Sequence, residues 1–250
     1  MYSSPSYLWV ITLIGMVGIP ALTCLALYRG TVRADLGRRR AALVGVASVV
    51  LLGGWFTASG VIAGHGGYHT KLGQQPPWLP IAAVTTLVVL WAVSRIPLVA
   101  RVLAAPGMLS RLELVHTFRV AGVAFVLMMA IGRLPVLFAL PAGLGDMAVG
   151  IAAPFVARSL ARGTGRRAAV WFNALGIADL VVALALGGLT GFQLVSVSPP
   201  AVAIGELPLA LIPTAAVPLL LVLHIVSLRK LAEARRARAP ITAGDVVTVG

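Results

Sequence analysis

The sequence contains few charged residues. Only 11% of its 250 residues are Asp, Glu, Lys or Arg, whereas about a quarter of the residues in soluble globular domains are charged. Hydrophobic residues make up 59% of the chain, and the mean hydropathy is +0.99. These values exclude a soluble globular protein and indicate an integral membrane protein.

Cysteine and acidic residues are also scarce. The single cysteine, Cys24, lies in an apolar run, which excludes an intrachain disulfide and a cysteine metal cluster. Seven acidic residues against 20 basic ones give a formal net charge of +13. The basic residues form short groups between long apolar runs, as in the cytoplasmic loops of membrane proteins. We therefore expect these basic residues to lie at the surface of the lipid bilayer and not to bind nucleic acid.

Familiar catalytic motifs are missing. Ser59, Ser94 and Ser159 have no His and Asp at a spacing that suggests a catalytic triad, and no HExxH sequence occurs. The last apolar run has no lysine for a retinal Schiff base, which argues against an opsin. The sequence predicts no catalytic residue, and a non-enzymatic role is favoured.

Seven apolar runs are long enough to cross the membrane, which takes about 20 helical residues. The sequence therefore predicts an all-α, polytopic protein with one seven-helix domain over residues 1–230 and a basic tail over 231–250. The predicted spans, numbered one to seven, are 7–28, 41–63, 78–95, 112–132, 135–157, 168–189 and 207–228.

The basic residues predict the orientation. Of the 20 Lys and Arg residues, 17 fall in the loops and tail on one side, Lys71 and Arg133 lie on the other, and Arg119 lies within span four. The positive-inside rule then places the N-terminus outside and the C-terminus in the cytoplasm.

Three ionisable residues lie at membrane depth, where an unpaired charge costs about 2.5–3.5 kcal/mol or more. Asp146 in span five and Asp179 in span six are expected near the bilayer centre, and Arg119 is their candidate counter-ion. The turn "IGRLP" is so tight that spans four and five must be antiparallel neighbours, so Arg119 is predicted to reach Asp146. Asp179 competes for the same arginine, and the carboxylate left over is a candidate for protonation.

Other polar residues extend this predicted cluster. Asn173 occupies the inner half of span six. His116 and His224 share a depth near the inner ends of spans four and seven, which makes them weak candidate ligands for a haem or another metal. No cofactor is otherwise expected. Gly143 and Gly150 flank Asp146 at helical spacing and form a small-residue face for a neighbouring helix.

The second half of the chain contains four sequence motifs within residues 112–230: R-x-x-G in span four, LP-x-x-FA-x-PAG-x-GD in span five, N-x-x-G-x-x-D in span six and P-x5-H in span seven. With these motifs it resembles a family of short bacterial membrane proteins of unassigned activity. The resemblance implies a multi-pass protein of the bacterial cytoplasmic membrane. Its polar positions coincide with those selected by burial cost: Arg119, Asp146, Asn173, Asp179 and His224.

Three functions fit these patterns. The favoured one is translocation or sensing of an ion or small molecule, with Asp146 and Asp179 as proton or cation sites and Arg119 as their switchable partner. The alternative is a non-catalytic scaffold or assembly subunit in which the polar cluster holds the helices in register. The third is a haem- or lipid-dependent membrane enzyme.

Overall fold

The computed structural model describes residues 5–70 and 76–236, and over these ranges the chain is helical with no β-strand. A short helix, Pro97–Leu103, connects spans three and four, and a 3-10 turn, Ala201–Gly205, precedes span seven. The seven spans are Ser6–Arg33, Arg38–Gly64, Trp78–Arg95, Met108–Ala130, Val136–Ala161, Arg166–Gly191 and Ile212–Arg236.

Each of these helices is long and apolar enough to cross a bilayer, which confirms the predicted all-α fold with seven spans. The orientation stays a prediction. The largest difference is in span seven, which begins at Ile212 because Pro208 and its neighbours form a turn. Its helix continues to Arg236, since Arg, Lys, Ala and Glu are good helix formers. Of the predicted tail, residues 237–250 lie outside the described residues.

Span seven is the central helix. Of its most hydrophobic stretch, 72% of the residues are buried, against 22% in span two. Span seven packs against spans three, four and six. Span two directs Val46 and Leu51 outward, where each is at least 60% exposed and available to lipid. An apolar helix buried on all sides is the expected centre of a membrane bundle.

Two of the spans interrupt their α-helical geometry. Span four changes from α-helix to a 3-10 segment over His116–Gly122 before it returns to α-helix. Span seven begins with a π-helical turn, Ile212–Ala216, whose Thr214 carbonyl accepts hydrogen bonds from Trp55 Nε1 at 3.1 Å and Thr86 Oγ1 at 3.1 Å. Such interruptions within a helix are frequent at functional sites.

Glycines bring span five against the 3-10 segment. A Cβ atom at Gly150 would lie within 3.1 Å of backbone and side-chain atoms of Arg119 and Val120, and one at Gly122 would lie within 3.0 Å of three atoms of the Asp146 side chain. Without these side chains the two backbones approach closely, as small residues permit in membrane helices. This contact places Asp146 beside Arg119.

Candidate functional site

Arg119 is the centre of a buried hydrogen-bonded network. It is 2% exposed, and its Nε donates to Asp146 Oδ1 at 2.7 Å. Its Nη2 donates to Asp179 Oδ2. The sequence predicted that the two aspartates compete for Arg119, whereas in the structure one guanidinium holds both at once. It therefore joins spans four, five and six.

The third nitrogen of Arg119 binds a histidine on span seven. Nη1 lies 3.0 Å from His224 Nε2. Because a guanidinium only donates hydrogen bonds, Nε2 must accept, and the ring proton must lie on Nδ1. That Nδ1–H donates to Asn173 Oδ1 at 2.8 Å. The network thus selects one neutral tautomer of His224.

Asn173 extends the network to a carboxylate that the sequence analysis missed. Its Nδ2 donates to Glu113 Oε1 at 2.7 Å and to the Ala169 carbonyl at 2.8 Å. Glu113 is fully buried, although it lies only one residue inside the predicted start of span four. The signal that identifies it is E-x-x-H, because Glu113 and His116, three residues apart, share a helix face.

His116 stacks on His224 rather than facing it. The ring centroids are 3.8 Å apart and the planes are inclined by 15°. Rings in this contact leave no space between them for a porphyrin held by one imidazole on each face.

The Glu113 and His116 end of the network has unsatisfied polar atoms. Both His116 nitrogens and Glu113 Oε2 are buried and have no hydrogen-bond partner within the described residues. A buried polar group without a partner costs about 1–3 kcal/mol. By contrast, all three guanidinium nitrogens of Arg119 are bonded. One end of the network is therefore complete and the other is open to a further ligand.

The network lies at the middle depth of the helices. Asp146 is about 15 Å along span five from Val136 at 1.5 Å per residue. The side chains of Asp146 and Asp179 remain 12% and 16% exposed. A cavity of about 20 Å³ touches Arg119, Asp146 and Thr12, whose hydroxyl is buried without a partner in the described part of the chain. This volume is enough for one water molecule.

Two of the sequence motifs now have a structural explanation. In N-x-x-G-x-x-D, Asn173 and Asp179 bond to His224 and Arg119 respectively, and Gly176 lies against the His224 ring, where a Cβ would clash. In R-x-x-G, Gly122 makes room for Asp146 beside Arg119. Each glycine therefore allows a partner on another helix to reach its hydrogen bond.

Residues 76–232 match the profile of a family described as a domain of unknown function, DUF8737. The chain belongs to this family. The match contains spans three to six and nearly all of span seven, and therefore every member of the network described above, while spans one and two lie outside it. No curated protein and no solved structure matches the chain. The DUF8737 protein is thus an integral membrane protein whose family carries no assigned activity.

The ionisable groups of the site are unequal in number. Asp146, Asp179 and Glu113 supply three carboxyl groups against the single guanidinium of Arg119. An ionised carboxylate without a counter-charge is very costly at low dielectric, and the single guanidinium can balance only one of the three carboxyl groups. The functional roles of these residues stay predictions. The structure shows that they are joined in one hydrogen-bonded network.

Proposed function

We propose that this DUF8737 protein translocates or senses an ion or small molecule by means of a cation, most simply a proton, that binds at Asp146 and Asp179. Arg119 is the switchable partner of both carboxylates. When a proton neutralises one of them, the guanidinium pairs with the other, and the attraction between span four and the released span weakens. The contacts of span four with spans five and six would then differ between the two states.

The observation that carries this proposal is the sharing of one guanidinium by carboxylates on two different helices. Arg119 is 1% exposed at its side chain, while Asp146 and Asp179 are 12% and 16% exposed. The positive charge is therefore held in the interior of the bundle, and its two partners lie nearer to the surface of the bundle. Ionisable residues in this position are typical of proton relays and ion pathways in membrane proteins.

The 3-10 segment of span four supports the same function. His116–Gly122 contains Arg119 and lacks continuous α-helical hydrogen bonding, so it can change its backbone geometry at lower cost than the regular helices beside it. Discontinuous helices at binding sites near the bilayer centre are a recurring feature of transporters. The segment gives Arg119 a backbone that can follow a change of partner.

A structural scaffold is the second candidate, and the complete pairing of Arg119 favours it. Each of its three nitrogens is bonded to a different helix of the bundle. Hydrogen bonds between membrane helices contribute on average only about 0.6 kcal/mol each, but a bond network of this kind fixes helix register. In a scaffold, neutralising one aspartate lowers stability and abundance without removing any flux.

The test is proton flux into liposomes that contain the purified full chain. A pH-sensitive dye inside the liposomes reports proton entry when a membrane potential is imposed. We expect Asp146→Asn to abolish the flux and to leave the protein folded, because the remaining Arg119–Asp179 pair is electrically neutral. Asp179→Asn is expected to behave in the same way.

Asp35→Asn is the matched control. Asp35 is exposed and lies between spans one and two with a backbone φ of 52°, a conformation that asparagine tolerates well. It carries the same chemical change outside the membrane and should keep the wild-type flux. Wild-type flux in Asp146→Asn, or loss of folded protein in parallel with loss of flux, would count against the proposal and favour the scaffold.

A further inference from the structure

The open end of the network has the composition of a metal site. Glu113, His116 and His224 each offer one ligand atom, and these atoms all lie within 4.8 Å of one another. All three residues are 0% exposed. They come from spans four and seven. They are different residues from the two aspartates proposed for ion binding, and Arg119 connects the two groups through His224.

Two of these residues have ligand atoms that nothing else uses. Glu113 Oε2 and both nitrogens of His116 have no hydrogen-bond partner among residues 5–70 and 76–236. The hydroxyl of Ser227, on span seven, is buried beside the Glu113 carboxyl group but makes no hydrogen bond of normal geometry with it. Buried polar groups are almost always satisfied by protein, water or an ion, so this group of atoms indicates a missing ligand.

The hydrogen bond at Nδ1 of His224 is of the kind that supports a metal-bound histidine. The Nδ1–H group donates to Asn173 Oδ1, so the electron pair available to a metal is on Nε2, which in this structure accepts from Arg119 Nη1. A hydrogen bond from the second ring nitrogen to a carbonyl or carboxylate oxygen is the usual support of a metal-bound histidine. The same Asn173 binds Glu113 through Nδ2, so one side chain supports two candidate ligands.

We propose that Glu113, His116 and His224 bind a first-row transition-metal dication such as Zn²⁺. Two imidazoles and one carboxylate suit such ions, and a dication compensates the excess of carboxyl groups over guanidinium in the network. Because the two rings now stack, binding requires the His116 ring to turn. The His224 ring stays bonded to Asn173 through Nδ1, and its Nε2 exchanges the Arg119 hydrogen bond for the metal. Arg119 keeps its two aspartates, so metal occupancy alters the position of Arg119 within the network.

Zinc titration of the chelator-treated, purified full chain tests this proposal. Calorimetry with Zn²⁺ alone and elemental analysis of the washed protein are expected to give one tightly bound zinc per chain. Glu113→Gln and His116→Gln should each weaken binding by more than about tenfold, since even the outer partners of metal ligands are worth about 10–100-fold in affinity. Zn²⁺ should also raise the unfolding temperature of the wild type more than that of either variant.

The matched control is His65→Gln/His69→Gln, which removes two exposed histidines near the end of span two and should leave the tight site intact. Loss of zinc binding in this control with retention in Glu113→Gln would overturn the proposal, because it assigns the zinc to the surface. Absence of stoichiometric zinc together with an infrared carboxylic-acid band that disappears in Glu113→Gln would overturn it in favour of a protonated Glu113. Both results concern zinc binding and Glu113, so they can be distinguished from the proton flux of Asp146→Asn, which tests the proposed function.

Discussion

Replacement of Gly176 by alanine tests whether the network depends on the position of the His224 ring. A Cβ atom at Gly176 would lie within 3.3 Å of three ring atoms of His224. The ring has little freedom to move away, because His116 stacks on it and both of its nitrogens are hydrogen bonded. Gly188, on the same span, is the control, because a Cβ atom there would have open space, with no atom of the described residues within 4 Å.

The expected difference follows from the contacts. Overpacking a well-packed interior costs about 1–3 kcal/mol, and loss of two hydrogen bonds between membrane helices adds about 1 kcal/mol. Both substitutions gain the same helix preference of alanine over glycine, about 0.5–1 kcal/mol, which cancels when the variants are compared. Gly176→Ala should therefore be less stable than Gly188→Ala by about 2–4 kcal/mol.

Reversible unfolding in mixed micelles, titrated with a denaturing detergent, measures this difference as a free energy of unfolding. It corresponds to a change of more than tenfold in the ratio of unfolded to folded protein, at 1.4 kcal/mol per factor of ten. If Gly176→Ala and Gly188→Ala unfold within about 0.5 kcal/mol of each other, which is the range of ordinary surface substitutions, the His224 ring is not held as described and the derived tautomer and metal geometry lose their basis.

Three further predictions concern charge, topology and cofactor. Arg119→Gln leaves two carboxylates without a counter-ion and should destabilise the protein by about 3–5 kcal/mol. Addition of Asp146→Asn to this variant should recover part of the lost stability, measured by thermal unfolding. A lack of recovery would contradict the shared ion pair. Because the C-terminus is predicted to lie in the cytoplasm, a fluorescent protein fused there should fluoresce and a periplasmic phosphatase fused there should be inactive. The opposite pattern would reverse the predicted orientation. The purified protein should show no Soret absorbance, because the His116 and His224 rings are in contact; a Soret band that His116→Ala removes would refute this.

The number and approximate limits of the spans could be predicted because hydropathy depends only on local sequence. A helix that crosses hydrocarbon must satisfy its backbone internally, so each long apolar run has one plausible structure. The interruptions of spans four and seven were not predictable in this way. In the π-helical turn at Ile212–Ala216, the Thr214 carbonyl accepts hydrogen bonds from Trp55 and Thr86, which are distant in sequence.

The pairing of Arg119 with Asp146 was predictable because the short turn between spans four and five makes their helices neighbours. The contacts of His224 were not, since hydropathy and periodicity give neither the rotation nor the partners of a helix that is buried on all sides. Glu113 was missed for a different reason. It lies at the edge of the predicted span four, outside the stretch searched for residues at membrane depth, whereas the helix begins at Met108 and Glu113 is buried.

The two ends of the network should respond differently to mutation because they differ in hydrogen-bond completeness. At the Arg119 end every guanidinium nitrogen is paired, so substitution leaves buried charges without partners and lowers stability. At the other end Glu113 Oε2 and both His116 nitrogens are unpaired within the described structure. Replacement of Glu113 by neutral Gln therefore removes the cost of burying a negative charge, together with a ligand atom. A site kept for packing alone would gain from that replacement. The proposed metal ion would satisfy the unpaired atoms of Glu113 and His116, as bound ions and water do for other buried polar groups.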